Sequence, residues 1–555
     1  MPGKLHDIRK SSTRTSDRLE AEFELAYRLH TEGRFADAES LYKDIIKKNG
    51  RHFEALHFAG VIAFETSRTQ EALALISKAV SVNKRYPAAI CNLGVVLNSL
   101  GKYAEAIEQY NQAISLKPDF VQAFVNRGDS LNKLKRYEEA IQSCDLAIHL
   151  QSNCAQAYLN RGTALHELER FSEALDSYDV SISINPRDLK AKSSRAVTLL
   201  SLGSFEKALN SCKDIIDSDP RNAEAFVLMG LALHRLQRLE ESVSSYDAAI
   251  RLKSDYAEAL GLRGNALCEI GNLEEAIQSY KSAIEFNPKY RDGIYNLGLA
   301  QTQLGLCADA VNSFERLLKL DPRYEFAKGH LLHAKMSVCD WRDLQTLCDS
   351  IKADLEAGAS SIEPFSFQGI SQSPGDSQRC AKSWCSKRHP SLQVNLKAPA
   401  PRTRNSRIRI GYVSGEFRNQ ATSVLLVGVI ECHDKDRFEI IAFDNGWDDG
   451  SDIRRRMARS FDEIIDISRL NDDDASLAIN ERGIDVLLNL NGYFGRDRSG
   501  IFRRRPCGIQ VNYLGFPGTL GASYIDYIIA DRTVVPEPDK NFGSSGNRVG
   551  GFEGS

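Results

Sequence analysis

Residues 89–118 read AICNLGVVLNSLGKYAEAIEQYNQAISLKP, and variants of this stretch return every 34 residues through the first half of the chain. Gly94 is the position from which we count the repeats. A second small residue, Ala106, and a bulky one, Tyr110, follow at fixed distances. A spacing held over many copies indicates one structural unit repeated along the chain. The first small position recurs at Gly60, Gly128, Gly162, Ala196, Gly230, Gly264 and Gly298.

Each copy has the pattern of a helix pair. Small residues at Gly94 and Ala106 let two helices approach closely, Tyr110 fills the space they leave, and Pro118 ends the second helix. One pair cannot bury its apolar face alone, so successive pairs must stack. A stacked 34-residue helix pair is typical of tetratricopeptide repeats. We therefore predict an α-solenoid, a tetratricopeptide superhelix, of nine repeats over residues 20–325.

Asparagines recur on one side of the repeats. They stand two residues before the recurring glycine at Asn92, Asn126, Asn160 and Asn296. In a superhelix of helix pairs the first helices line the concave surface, where an amide can bond to the backbone of an extended peptide. This ladder predicts sequence-tolerant peptide binding. The alternative is that the asparagines bond neighbouring helices. Ser194, Leu228 and Leu262 interrupt the ladder before Asn296, which suggests two binding stretches or a weakened one.

Composition excludes several classes of protein. The 555 residues carry a formal charge of -3, which argues against a general nucleic-acid binder. The longest apolar run, near 424–430, is far shorter than the roughly 18 residues of a membrane helix, so we expect no membrane partner. Residues 1–19 are basic without an apolar core and predict a disordered leader, not a secretory signal.

Twelve cysteines are present, and several lie inside the repeats, where they replace other core residues. Because they form no compact disulfide framework, we expect a cytoplasmic protein. Cys380, Cys385 and His389 could suggest a metal site. Their spacing matches no common zinc pattern, and we favour a structural role and expect no metal.

The pattern changes after the repeats. Residues 326–348 predict a capping helix, in which Trp341 and Leu344 shield the last repeat. Residues 349–406, rich in Ser, Gln, Gly and Pro, predict a linker or an irregular connecting layer. Over residues 407–540, short Ile- and Val-rich runs alternate with helical segments, which predicts a Rossmann-like lobe with a parallel sheet. Residues 541–555 match no strand or helix pattern and predict an irregular tail.

Glycine-bearing turns follow three of these apolar runs, at 414–416, 491–493 and 515–521. In open α/β sheets the ligand lies in the crevice at the carboxyl ends of the strands. Any one of these turns could be an ordinary tight turn. Together they predict a ligand site at this edge.

Three segments carry a family resemblance: RIRIGYVSGEFRNQATS, LLNLNGYFGRDR and RRPCGIQVNYLGFPGTLGASYIDYIIAD, beginning at Arg407, Leu487 and Arg504. They resemble the first catalytic lobe of the SPINDLY-like and O-linked N-acetylglucosamine transferase family, which also carries tetratricopeptide repeats in front. The resemblance implies a GT-B type glycosyltransferase with two facing Rossmann-like lobes. Its donor would be UDP-N-acetylglucosamine, or a fucose donor as in the plant SPINDLY branch, with no other cofactor. The repeats would feed protein Ser or Thr hydroxyls into the cleft.

The resemblance also implies site residues. Tyr493 and Arg498 match the family's NGY and arginine positions and would shape the acceptor side. Backbone amides at Gly518 and Thr519 could stabilise the departing diphosphate. Gln420 occupies the family's histidine position, and glutamine cannot exchange a proton near neutral pH.

Three hypotheses for function follow. The first is a protein O-glycosyltransferase, which we expect to be incomplete in these 555 residues because the family's second lobe supplies most donor contacts. The second is a non-catalytic scaffold that binds peptides through its repeats. The third is that the glycine-rich end reflects a frameshift.

Overall fold

A computed structural model describes residues 19–371, 373–392, 396, 407–495, 497–514, 516, 520–530 and 548–551 of the chain. The predicted leader lies outside these residues except for residue 19. The chain divides into two compact units, Met1–Ile270 and Gly271–Ser555, and each is described by itself.

The first unit is a run of helices at the spacing of the sequence repeat. Each helix packs mainly against its neighbours along the chain, as in a solenoid. The helices are α1 (19–31), α2 (Phe35–Lys48), α3 (Phe53–Glu65), α4 (Thr69–Val82), α5 (Pro87–Ser99), α6 (Tyr103–Leu116), α7 (Val121–Lys133), α8 (Tyr137–Leu150), α9 (Ala155–Glu167), α10 (Phe171–Ile184), α11 (Leu189–Ser201), α12 (Phe205–Ser218), α13 (Ala223–Arg235), α14 (Leu239–Leu252) and α15 (Ala257–Ile270).

The recurring glycine lies against the bulky residue of the same helix pair. A Cβ atom added to Gly94 would be 2.5 Å from a ring carbon of Tyr110, which is fully buried. In the sixth pair Cys212 occupies the bulky position, and Ala196 replaces the glycine. The Tyr110 ring therefore leaves no room for a side chain at Gly94.

Replacing Gly94 by alanine is expected to destabilise the first unit by about 1–3 kcal/mol, because the new methyl group overlaps the Tyr110 ring. The matched control is Gly128→Ala, which faces the smaller Cys144. There the gain in helix propensity, about 1 kcal/mol, offsets much of the cost. Urea unfolding followed by circular dichroism measures both variants. Equal losses in the two would contradict this packing explanation.

The second unit begins with α16 (Leu273–Phe286), α17 (Arg291–Gln303) and α18 (Cys307–Leu320). The predicted capping helix over 326–348 is instead two helices, α19 (Ala327–Ser337) and α20 (Leu344–Glu356). Cys339 and Asp343 between them have φ of 54° and 55°, a left-handed backbone that no α-helix continues. Trp341 does not shield the last repeat, since it is 59% exposed.

The predicted linker over 349–406 also contains helix. It holds part of α20, then α21 (Pro364–Gln368) and α22 (Pro374–Arg388). The Ser373 hydroxyl caps α22 by accepting from the Asp376 amide. The polar composition concealed this helix because α22 buries only three small residues: Cys380, Ala381 and Cys385.

The remaining residues form a parallel α/β lobe. Its seven-stranded sheet has the order β3-β2-β1-β4-β5-β6-β7. The predicted fold class, an α-solenoid followed by a Rossmann-like lobe, is confirmed. The strands are β1 (Ile408–Ser414), β2 (Phe438–Asp444), β3 (Glu463–Asp466), β4 (Val486–Asn489), β5 (Ile509–Tyr513), β6 (Tyr527–Ala530) and β7 (Arg548–Gly551). The helices are α23 (Ala421–Glu431), α24 (Asp452–Ser460), α25 (Asp472–Glu481) and a 3-10 helix (Ser499–Arg504).

Side chains of successive strand residues lie on opposite faces of the sheet. Tyr412 and Leu488 pack with Leu426 of α23 and Met457 of α24 on one face. Their neighbours along the strands join α25 and the 3-10 helix on the other face, in a core that includes Val413, Leu487, Ile479 and Phe502. The sheet is therefore covered on both sides, as its apolar runs require.

The predicted irregular tail, residues 541–555, contains a strand. β7 pairs in parallel with β6, with Ile528 opposite Val549 and Ala530 opposite Gly551. Strands pair through their backbone N–H and C=O groups, so a glycine-rich segment can join a sheet. Such a segment lacks the β-branched residues from which strands are predicted, and the sequence therefore did not indicate β7.

Candidate functional site

The sheet changes direction between β1 and β4. From β1 the chain proceeds outward to β2 and β3, then returns so that β4 pairs with β1 on the other side. In sheets of this order the crevice at the carboxyl ends of the two central strands holds the ligand. These ends are Ser414 and Asn489, both buried, and the turns after them contain the motifs predicted to form a site.

Asparagine side chains connect the two turns. The Asn491 Oδ1 atom accepts from the Ser414 hydroxyl at 3.0 Å and from the Gly415 amide at 3.3 Å. The Asn489 Oδ1 atom accepts from the backbone amides of Asn491 and Gly492, at 3.2 and 3.0 Å. These buried bonds fix the two loops relative to one another. Two of the three predicted turns are thus brought together.

Glu416 completes this network, and sequence reasoning had assigned it no role. The residue is only 8% exposed, and its carboxylate accepts from the Thr422 hydroxyl at 2.7 Å. Its carbonyl accepts from the Ser423 hydroxyl at 2.5 Å. A buried acid must be paired. The available signal was the pair of hydroxyl residues that starts α23, six and seven positions downstream.

Gln420 precedes α23 as its N-cap residue and is partly exposed. Its side chain makes no capping hydrogen bond, while its carbonyl accepts from the Val424 amide at 3.1 Å. The residue therefore lies at the positive end of a helix dipole, at the ligand edge of the sheet. An amide here can donate to or accept from a hydroxyl group, but it cannot take up its proton.

Tyr493 lies inside the lobe. Its side chain is 7% exposed, and its hydroxyl donates to the Leu520 carbonyl at 2.5 Å. Rings of Trp384 in α22 and Phe516 surround it. Burial raises the pKa of Tyr493 well above its usual value, so the hydroxyl stays protonated. These contacts position the segment near Leu520. A role for Tyr493 on the acceptor side stays a prediction.

Arg498 lies at the start of the 3-10 helix. Its guanidinium pairs with Asp472 at 2.5 Å and donates to the Leu470 carbonyl at 2.9 Å. These bonds connect the loop after β3 to the loop after β4. A direct contact of Arg498 with substrate stays a prediction, as does the role of Gly518 and Thr519, which lie outside the described residues.

Three asparagines of the ladder contact side chains or backbone atoms of the preceding repeat. The Asn160 amide donates to the Val125 carbonyl of the preceding pair at 3.1 Å, and its oxygen accepts from Gln156 at 2.9 Å. Asn92 lies 3.0 Å from the His57 ring nitrogen, and Asn126 donates to Cys91 at 3.8 Å. Asn296 is partly buried on α17. These contacts fit the alternative of bonds between helices, and peptide binding by the ladder stays a prediction.

Replacing Asn160 by alanine is expected to lower the free energy of unfolding of the first unit by about 1–3 kcal/mol, because it leaves the Val125 carbonyl without its donor. The control is Gln156→Ala, which removes only the exposed partner of the same amide. Thermal unfolding measures both. An unchanged melting temperature for Asn160→Ala, together with weaker peptide binding, would favour the ladder as a peptide site instead.

A depression of about 580 Å³ opens where the ladder is interrupted. Ser194 of α11 lines it, with Thr163 and His166 of α9 and Glu224 of α13. A short side chain at position 194 leaves room that an asparagine would partly fill.

Cys380 and Cys385 lie inside α22, and His389 directly follows it. Cys380 donates to the Ile362 carbonyl at 3.4 Å, and burial raises its thiol pKa to about 12. His389 lies 3.3 Å from Asp497. Within the residues that the structure covers, no three His, Cys, Asp or Glu side chains form a group suited to a metal ion.

Comparison with known proteins finds a separate match for each part of the chain. A model described as Glycosyl transferase family 41 matches residues 386–542. This range contains the carboxyl ends of β1 and β4 and the turns that follow them, which we call the switch-point edge. Tetratricopeptide models match segments from residue 23 to residue 324. In its repeats and its α/β lobe the chain resembles O-GlcNAc transferases and SPINDLY proteins.

Two curated relatives illustrate how far this likeness extends. A probable UDP-N-acetylglucosamine-peptide N-acetylglucosaminyltransferase, SEC of Arabidopsis thaliana, is 30% identical over 222 residues, 37% of this chain and 22% of its own length. The corresponding Caenorhabditis elegans enzyme is 38% identical over 131 residues, 23% of this chain and 11% of its own. The alignments thus span less than a quarter of either relative.

Among solved structures, an O-GlcNAc transferase mutant of Thermobaculum terrenum aligns with 60% of this chain and 57% of its own length, at 24% identity and a TM-score of 0.39. Across the helices that the structure describes, none is long and apolar enough to cross a membrane.

Proposed function

We propose that this chain acts in protein O-glycosylation, in which N-acetylglucosamine passes from a UDP-sugar to Ser or Thr hydroxyls of proteins. The observation that carries the proposal is the switch-point edge, which lies within the family 41 match and is assembled from both central strands. The repeats would hold the protein substrate, and this edge would receive its hydroxyl.

The residues at the edge suit binding and orientation of an acceptor. Gln420 can hydrogen bond to a hydroxyl without accepting its proton. The Ser414, Asn491 and Glu416 network holds the loops around it. Such orientation can supply a large part of a rate enhancement when a donor is held opposite.

The donor side needs separate groups that bind the nucleotide and stabilise the departing diphosphate. The described residues contain one seven-stranded sheet, and the acidic residues Asp448 and Asp449, in the loop after β2, lie beside its switch-point edge. Carboxylates repel a diphosphate, so we assign this edge to the acceptor. The family resemblance places most donor contacts on a second, facing lobe. We propose that transfer by these 555 residues depends on such a lobe.

A transfer assay tests this function. The 555-residue chain is incubated with radiolabelled UDP-N-acetylglucosamine and a serine peptide, alone and with a donor-side lobe taken from the Caenorhabditis elegans relative. Label on the peptide in the mixture supports the proposal. Peptide binding without transfer in either case would favour a non-catalytic scaffold.

A further inference from the structure

An exposed tryptophan lies beside the proposed acceptor site. Trp447 follows β2 and is 48% exposed. The guanidinium carbon of Arg418, two residues before Gln420, lies 3.7 Å from the centre of the indole ring. We call this pair the Arg418–Trp447 platform. Sequence analysis assigned neither residue a role.

Hydrogen bonds hold the platform in place. The loop after β2 joins the loop after β1 through the Asn445 amide, which donates to the Ser414 carbonyl at 3.1 Å. A second bond runs from the Asn419 amide to Asp449 at 2.8 Å. Gly446 fits against Gly415 so closely that an added Cβ would lie 2.3 Å from its carbonyl oxygen. The two loops that carry Trp447 and Gln420 are therefore fixed relative to one another.

The charges around the ring favour an uncharged ligand. The Arg418 guanidinium repels a cationic group. Asp448 lies 3.8 Å from Arg454, but its side chain is 68% exposed, so its carboxylate still disfavours a phosphate or carboxylate ligand. Asp449, which accepts hydrogen bonds from Ser451 and from the Asn419 amide, adds a second negative charge. A flat, uncharged ring can stack on an exposed indole without either penalty.

We propose that the Arg418–Trp447 platform binds the ring of a tyrosine adjacent to the acceptor serine or threonine, and so selects the sites of modification. The proposal rests on the proposed function, in which this edge receives the acceptor polypeptide. It adds a specificity-determining surface to that site.

Fluorine NMR can observe the platform directly. The chain has three tryptophans, Trp341, Trp384 and Trp447, so 5-fluorotryptophan labelling gives three resonances that Trp→Phe variants assign. Two peptides are titrated, identical except for tyrosine or alanine next to the serine. We expect the tyrosine peptide to shift the Trp447 resonance with about three- to tenfold higher affinity than the alanine peptide. The resonance of Trp341, which is also exposed, should not move.

Variants and a second ligand complete the test. Trp447→Ala should abolish the preference for the tyrosine peptide, measured by fluorescence anisotropy of the labelled peptides, while circular dichroism stays unchanged. Equal affinity of both peptides for the full chain would overturn the proposal. So would a Trp447 resonance that moves only with UDP-N-acetylglucosamine. These experiments measure peptide binding, not sugar transfer. A preference for the tyrosine peptide can therefore be observed even if the transfer assay shows no activity, so the two proposals can fail independently.

Discussion

Replacing Arg454 by methionine is expected to destabilise the α/β lobe by about 3–5 kcal/mol, since it leaves a buried carboxylate without its partner. Arg454 of α24 pairs with Asp444 at 2.6 Å, and the two side chains are only 12% and 7% exposed. The same guanidinium donates to the Phe417 carbonyl at 2.9 Å. Its loss should therefore also loosen the loop that carries Gln420.

The matched control lies two residues further along the same helix. Arg456 pairs with Glu431 at 2.6 Å, but the side chains are 54% and 38% exposed. Solvent screens this pair, so Arg456→Met should leave stability unchanged within error. Denaturant unfolding of the full chain, followed by tryptophan fluorescence, measures both variants. If Arg454→Met unfolds with the same midpoint as Arg456→Met, the Asp444 pair does not hold the lobe together.

Supplying a donor-side lobe is expected to raise sugar transfer from background to a measurable rate, whereas Gln420→His alone is not. General acid-base catalysis contributes about 10²- to 10⁴-fold, but it acts only on a bound donor. Binding and alignment come first and account for a larger share of the barrier. Radiolabel transfer by Gln420→His without an added lobe would show that the proton step, not the donor site, is limiting.

The repeats could be predicted in detail because their packing depends on local spacing. Gly94, Ala106 and Tyr110 lie within one helix pair, and the contact between Gly94 and Tyr110 is local in sequence. The 34-residue spacing of these residue types therefore predicts the packing of each pair. The parallel sheet was predictable for a similar reason. Its strands, covered on both faces, read as continuous apolar runs such as β2.

Features that depend on distant contacts could not be predicted. Helix α22 buries a narrow strip of small residues against segments far away in sequence, as at Gly521, whose added Cβ would lie 2.5 Å from the Lys382 backbone nitrogen. Strand β7 pairs through its backbone. The burial of Tyr493 and the pairing of Arg498 with Asp472 depend on tertiary folding, which a motif does not report.

The assignment of the switch-point edge to the acceptor is tested most directly by sugar transfer to a serine peptide. The assay compares the 555-residue chain alone with the chain plus a donor-side lobe. UDP titration of the chain alone, by calorimetry, accompanies the assay. We expect weak or no UDP binding and no transfer by the chain alone, and labelled peptide once the second lobe is added. Micromolar UDP binding with transfer by the chain alone would contradict the assignment.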